Sequence, residues 1–182
     1  MSWKNTPDQW GRVSASFHWL TVFAVVGLFL LGLWMVDLTY YDPWYQTGPY
    51  VHKSTGVLLF CLMLLRLIWR TLNPTPLPLP SHTASEQMAA KVVHGGLYLL
   101  LFTVMISGYL ISTADGRAIE VFGGFELPAT ISGFDGQEDV AGEIHLYAAY
   151  TLVTVAVLHA FAALKHHFVD RDRTLLRMLG RS

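Results

Sequence analysis

Four stretches of this chain are apolar for long enough to cross a lipid bilayer, and that leaves few folds open. A hydrocarbon layer about 30 Å thick takes roughly 20 helical residues to span. Lipid offers no partner to backbone N–H and C=O groups, so each span has to satisfy its own by coiling into an α-helix. The stretches run from Phe17 to Val36, Val51 to Trp69, Val92 to Ser112 and Ile144 to Leu164. The expectation is an all-α integral membrane protein, a four-helix transmembrane bundle forming a single membrane domain over residues 1–182, with the lipid bilayer as its solvent. Composition agrees: 53% of residues are apolar and 14% charged, where a soluble domain carries about a quarter charged.

The segments between the spans are punctuated. Asn73-Pro74-Thr75-Pro76-Leu77-Pro78-Leu79-Pro80 closes the second span, because prolines this dense cannot continue a helix and favour an extended, stiff connector. Residues 113–143 form a long Gly- and Asp-containing loop, too polar to lie in lipid. Orientation follows from the basic residues. With the N-terminus inside, Lys4, Arg12, Arg66, Arg70, Lys91, Lys165, Arg171, Arg173, Arg177 and Arg181 fall on the inner side, and only Lys53 and Arg117 outside. Both termini and the basic tail 165–182 are therefore expected in the cytoplasm, with the protein multi-pass in the cytoplasmic (inner) membrane of a bacterium. The first apolar run is a full span, so no cleavable signal peptide is expected. Cys61 is the only cysteine, which excludes Cys-X-X-Cys-His haem attachment; it reads as a small buried apolar residue. No nucleic-acid partner is expected.

Histidine is the chemistry the spans carry. His145 and His159 lie fourteen residues apart in the fourth span. At 3.6 residues per turn and 1.5 Å per residue, fourteen steps return to nearly the same helix face about 21 Å further along. Ionisable groups in hydrocarbon usually mark a cofactor, an ion path or a proton relay. Alternating helix direction sorts them by depth: His18 and His159 near the cytoplasmic face, His52 and His145 near the outer one. Two imidazole pairs at two levels suit two six-coordinate haem irons in a four-helix bundle. A small-ion site would gather its ligands at one level, and a proton relay would bring carboxylates into the spans, so a His-based metal transporter is the weaker alternative. His94 also starts a span at the cytoplasmic level, and its position allows it as a ligand in place of His18.

Small and charged residues fit the same scheme. Gly32 follows His18 by fourteen residues and Gly108 follows His94 by fourteen, which puts each on its histidine's face at the outer level, where a macrocycle would pass. Gly56 is one turn beyond His52, where a side chain would meet a porphyrin. Arg66, fourteen residues after His52, reaches the cytoplasmic level as a partner for a haem propionate. His166 lies two turns beyond His159 on the same face, placed to give a hydrogen bond to a quinone carbonyl. His167 and His82 read as surface residues, and Met63 and Met105 as packing.

The segments Arg12-Val13-Ser14-Ala15-Ser16-Phe17-His18-Trp19, His52 with Gly56, Met63-Leu64-Leu65-Arg66-Leu67, and the tail from His159 through His166-His167 to Asp172-Arg173-Thr174-Leu175-Leu176-Arg177-Met178 resemble the bacterial cytochrome b-561 family. That family is related to the cytochrome b subunits of membrane hydrogenases and formate dehydrogenases. The resemblance implies two non-covalent b haems, with His18 and His159 as iron ligands on the cytoplasmic side and His52 and His145 on the outer side. It implies a quinone, ubiquinone or another, bound near Ser16 and His166. Some members oxidise superoxide at the outer face and pass the electron to quinone. His94 has a counterpart in the family without an assigned role.

The outer connectors weigh against a small anion. They hold Asp37, Asp42, Asp115, Glu120, Glu126, Asp135, Glu138, Asp139 and Glu143 against Lys53 and Arg117, a balance of −7. Such a field repels superoxide unless a local basic funnel overrides it, and attracts a basic periplasmic electron donor. The reading is a transmembrane dihaem cytochrome, an oxidoreductase moving single electrons between the periplasmic face and the quinone pool. Its rival is a haem-carrying membrane anchor that accepts electrons from an iron–sulfur or cytochrome c partner.

Overall fold

A computed structural model describes residues 2–180; Arg181, counted above among the inner basic residues, lies outside them. Four helices are long and apolar enough to cross a membrane: α1 Arg12–Met35, α2 Thr47–Leu72, α3 Ala84–Thr113 and α4 Gln137–Phe168. The antiparallel strands β1 Ile119–Val121 and β2 Phe125–Leu127 lie between α3 and α4, and a short α5 Thr174–Met178 follows α4. The expected all-α membrane class is what the chain adopts. Apolar side chains point outward along the spans, with Phe23 70%, Leu30 59%, Leu99 69% and Phe161 63% exposed, as lipid rather than water as solvent requires. Cys61 is exposed on α2 rather than buried, which costs little because a thiol is nearly apolar.

α2, α3 and α4 outrun their apolar stretches at both ends, and α1 at its start only, ending at Met35, for local reasons. α3 starts eight residues before Val92 because Thr83 and Glu86 form a capping box: Glu86 Oε2 accepts from Thr83 N at 2.9 Å and Thr83 Oγ1 from Glu86 N at 3.3 Å. α4 starts at Gln137, with Glu138 and Asp139 in its first turn, where negative charge complements the helix dipole. Gln137 Nε2 donates to Leu110 O at 2.9 Å, joining the ends of α3 and α4.

The chain divides into two compact units, each drawing on all four long helices. The first comprises Met1–Thr21, Leu62–Leu99 and Leu152–Ser182. Its centre is Met63, fully buried, whose sulfur lies 3.6 Å from Thr21 Oγ1. Asn5 organises its N-terminal segment: its amide donates to Pro74 O at 2.9 Å, and its Oδ1 accepts from Gly11 N at 2.9 Å and Ser14 Oγ at 2.7 Å. Gly11 has to be glycine, since a Cβ there would sit 2.5 Å from the backbone of Trp3 and Lys4. The tail closes over this end, with Arg177 donating to Leu77 O at 3.0 Å and Trp19 Nε1 to Met178 O at 3.2 Å.

The second unit comprises Val22–Cys61 and Leu100–Thr151. Its polar loop is more ordered than its composition suggests. Phe122 and Gly123 take positive φ of 46° and 67°, and Gly124 N donates to Val121 O at 2.9 Å, a type I′ turn that closes the hairpin. Ser54, fully buried on α2, donates to Glu120 O at 3.1 Å. Tyr109 Oη donates to Pro128 O and accepts from Thr130 N, both at 2.8 Å, and so ties the strand-to-α4 connection to α3.

Candidate haem sites

In the second unit, α2 supplies His52 and α4 supplies His145, with ring centroids 6.2 Å apart and planes inclined at 68°. Bonds from a metal to imidazole nitrogen are about 2 Å long, so two rings on opposite sides of one metal place their centroids roughly 6 Å apart. The observed spacing fits. His145 is also oriented: its Nδ1 lies 2.8 Å from Val104 O. A carbonyl only accepts, so Nδ1 carries the proton and Nε2 is left to ligate. The buried Nδ1 of His52 has no hydrogen-bond partner, so this ring too has a nitrogen to give.

Glycine makes room for both rings. A Cβ on Gly32 of α1 would lie 3.3 Å from His52 Cε1, and one on Gly108 of α3 would lie 3.1 Å from His145 Cε1. Spacing along one helix places these glycines opposite a macrocycle; their neighbours here are imidazoles from the next helix in the chain. Gly56 meets nothing within 4 Å, so its face is open.

The first unit gathers three imidazoles. His94 of α3 and His159 of α4 meet edge to face with centroids 5.1 Å apart, about 1 Å short of the spacing for rings on opposite sides of one iron. His18 of α1 packs against Trp19 at 5.2 Å and lies within electrostatic range of His94, His159 and Arg66. Arg66 comes within 3.5 Å of His18 Nδ1, donates to Thr21 Oγ1 at 3.3 Å and lies 5.4 Å from the Tyr98 ring. Arg70 lies 5.3 Å from the same ring. An intramembrane guanidinium held this way is placed to meet a carboxylate brought by a cofactor. Nitrogen donors, a nearby cation and room beside the rings together fit a porphyrin with carboxylate arms.

Ser16 is exposed on α1, and His166 is half-buried near the end of α4. His166 stands among Asp170, Asp172 and His82. His82, expected on the surface, is instead only 18% exposed at its side chain and 2.9 Å from Asp172 Oδ2. The proline-rich connector carries it there, since Leu77 N donates to Pro7 O at 2.8 Å. Its sequence signal was weak, because connector composition argues for exposure. Burial opposes ionisation of Asp172, but hydrogen bonds from Thr174 and His82 outweigh it and hold the carboxyl below the ordinary carboxylate range.

In the turn between α3 and β1, Asp115 accepts from Arg117 Nε at 2.6 Å and from its backbone N at 3.1 Å. These bonds push the carboxyl below its usual range and the guanidinium above its own.

The family model described as prokaryotic cytochrome b561 matches residues 9–181. Cytochrome b561 homolog 2 of Escherichia coli is 53% identical over the whole chain and 97% of its own length. A Yersinia pestis protein named probable superoxide oxidase CybB is 34% identical over 76% of this chain and 77% of its own. Cytochrome b562 of Cereibacter sphaeroides is 29% identical over 92% and 93%.

Proposed function

Because the chain belongs to the prokaryotic cytochrome b561 family, and is thus a bacterial multi-pass membrane haem protein of electron transfer, we propose that it is a dihaem b-type cytochrome of the inner membrane. It carries single electrons between the periplasmic face and the quinone pool, with both termini cytoplasmic. The observation that carries this reading is the opposed pair His52 and His145, 6.2 Å apart, together with the three-histidine cluster of the first unit.

His52 and His145 would hold the outer-side haem iron, and His18 and His159 the cytoplasmic-side one. His94 would stand beside His159, the two rings meeting edge to face with centroids 5.1 Å apart. Bound haem supplies a one-electron iron couple whose potential follows its axial ligands and surroundings. The chain's own residues do the rest. Val104 fixes the tautomer of His145, Gly32 and Gly108 admit the rings, Gly56 leaves its face open to the macrocycle, and Arg66 balances a propionate. His166, with Ser16, orients a quinone and exchanges the accompanying proton at an imidazole nitrogen.

The donor we assign is superoxide, supported by the printed name of the Yersinia relative. Two superoxide ions would each lose one electron to give dioxygen, and one quinone would take both electrons with two protons to give quinol. The acidic outer connectors favour instead a basic protein donor, the arrangement a haem-carrying membrane anchor subunit would use.

A redox-titrated visible spectrum with haem and protein quantified on the same sample tests the core of the reading. Two haems per chain titrating as low-spin bis-imidazole centres are expected; a single haem would remove the dihaem assignment. Purification through a tag on this chain separates the anchor reading, which requires soluble subunits in stoichiometric amount.

A further inference from the structure

Three chain segments meet at the tail of the first unit. The connector between α2 and α3 brings His82, the end of α4 brings His166, and the turn before α5 brings Asp172. Asp172 Oδ2 lies 2.9 Å from His82 Nε2 and 3.3 Å from His166 Nδ1, and the imidazole centroids are 4.7 Å apart. One nitrogen from each ring and the Asp172 oxygen fall within 4.8 Å of one another. Side-chain exposures are 18%, 16% and 7% for His82, His166 and Asp172.

Hydrogen bonding alone leaves part of this unexplained. Asp170 Oδ2 and Asp172 Oδ2 approach His166 Nδ1 to 2.8 and 3.3 Å, yet neither makes a hydrogen bond with it. That buried atom has no hydrogen bond. A buried ring nitrogen that faces carboxylates without a hydrogen bond calls for another partner, and a bound ion supplies one.

We propose that His82, His166 and Asp172 form a binding site for a divalent transition-metal ion of the zinc class, which staples the proline-rich connector to the C-terminal tail. Ligand bonds of about 2.0–2.1 Å in a tetrahedral site put ligand atoms roughly 3.3 Å apart, and two of the contacts here are 2.9 and 3.3 Å. Two imidazoles with one carboxylate suit zinc and its neighbours over magnesium or calcium, which take oxygen. The carboxylate is aimed: Thr174 N donates to Asp172 Oδ1 at 2.8 Å, leaving Oδ2 to face the rings, the kind of outer support metal ligands receive. Asp170, held by Lys165 at 2.7 Å, stands ready as a further oxygen beside His166. The ion would occupy His166 and so slow quinone reduction; this consequence rests on the quinone reading above, while the binding does not.

The test uses haem-loaded protein freed of loose metal by chelation and equilibrated with zinc against a competing fluorescent chelator, with zinc and iron counted on the same sample. One tight zinc per chain is expected, unmoved by millimolar magnesium. His82→Ala and Asp172→Asn should each weaken it at least tenfold with the haem spectrum intact, and His167→Ala should keep it. Zinc should also protect the 74–80 connector from proteolysis in the parent chain and not in His82→Ala. Zinc affinity unchanged in both variants, or no zinc retained by the parent chain, overturns the site. Zinc that binds but leaves quinone reduction unaffected overturns only the inhibitory consequence. The quinone role of His166 is judged separately, by His166→Ala without zinc.

Discussion

At the scale of single residues, the second unit turns on two glycines. The Gly108 methyl that alanine would add comes 3.1 Å from Cε1 and 3.2 Å from Nδ1 of His145, whose Nδ1 is already held by Val104 O at 2.8 Å. The ring cannot retreat without losing that bond. Overpacking of this kind costs about 1–3 kcal/mol, so if His52 and His145 hold a haem, Gly108→Ala should lower its occupancy and shift its potential, while Gly95→Ala, with nothing within 4 Å, should leave the haem spectrum in place. Equal spectra for the two variants would remove the steric argument. A second residue-scale prediction separates His18 from His94. If the iron proposed on the cytoplasmic side is held by His18 and His159, His18→Ala should lose that haem, and His94→Ala, whose ring packs against His159 at 5.1 Å, should perturb its spectrum while retaining it. Retention of both haems in His18→Ala would promote His94 to ligand. Spacing made the glycines legible as members of a histidine face, but it reports only their own helix. Their contact is with a ring from the next one.

At the scale of elements, the middle of each span was plain from hydropathy and the ends were not. Ends are set by local bonds that an apolar average does not register, such as the Thr83 and Glu86 box or the acidic first turn of α4. The hairpin escaped for a related reason: strands of three residues carry little alternation, and its turn puts Phe122, not glycine, at φ 46°. Candidate ligands were easier to find, because histidine in a hydrocarbon span stands out, whereas His82 in a polar connector does not. Two predictions belong here. Gly11→Ala forces a methyl to 2.5 Å from backbone atoms of Trp3 and Lys4 that cannot swing aside, so residue 11 must move away and its backbone N lose its bond to Asn5 Oδ1. A melting temperature several degrees lower, read on the Soret band, is expected; an unchanged melt would show the segment to be unimportant to the first unit. Acid should also release the tail. The Asp172 carboxyl is held below its ordinary value, so its contribution is full above the unfolded value of about 3.9 and is lost as pH falls through the lower folded value. Amide exchange across 172–178, corrected for intrinsic rates, should stay slow at pH 5 and quicken only below about pH 4.

At the scale of the whole molecule, charge is the organising quantity. Ten of the twelve lysines and arginines fall on one side of the spans by sequence, and the connectors of the other side carry a balance of −7. The structure sharpens what that leaves for an incoming anion. Arg117, exposed, shares its charge with Asp115 through side chain and backbone, and Lys53, also exposed, is next in sequence to His52. If superoxide is the donor, Lys53→Ala should lower the second-order rate of haem reduction and flatten its salt dependence, and Arg117→Ala should do much less. Neutralising Glu138, Asp139 and Glu143 should then speed reduction, because a repulsive field acting over a Debye length of about 10 Å at 0.1 M salt has been weakened. A basic protein donor reverses the sign: the same triple variant loses attraction and slows, most at low salt. Stopped-flow reduction of the parent and triple variant across a salt series therefore distinguishes the two donors by the direction of one change. Slower reduction by superoxide in the triple variant would sink the steering argument, since removing like charge cannot hinder an anion's approach.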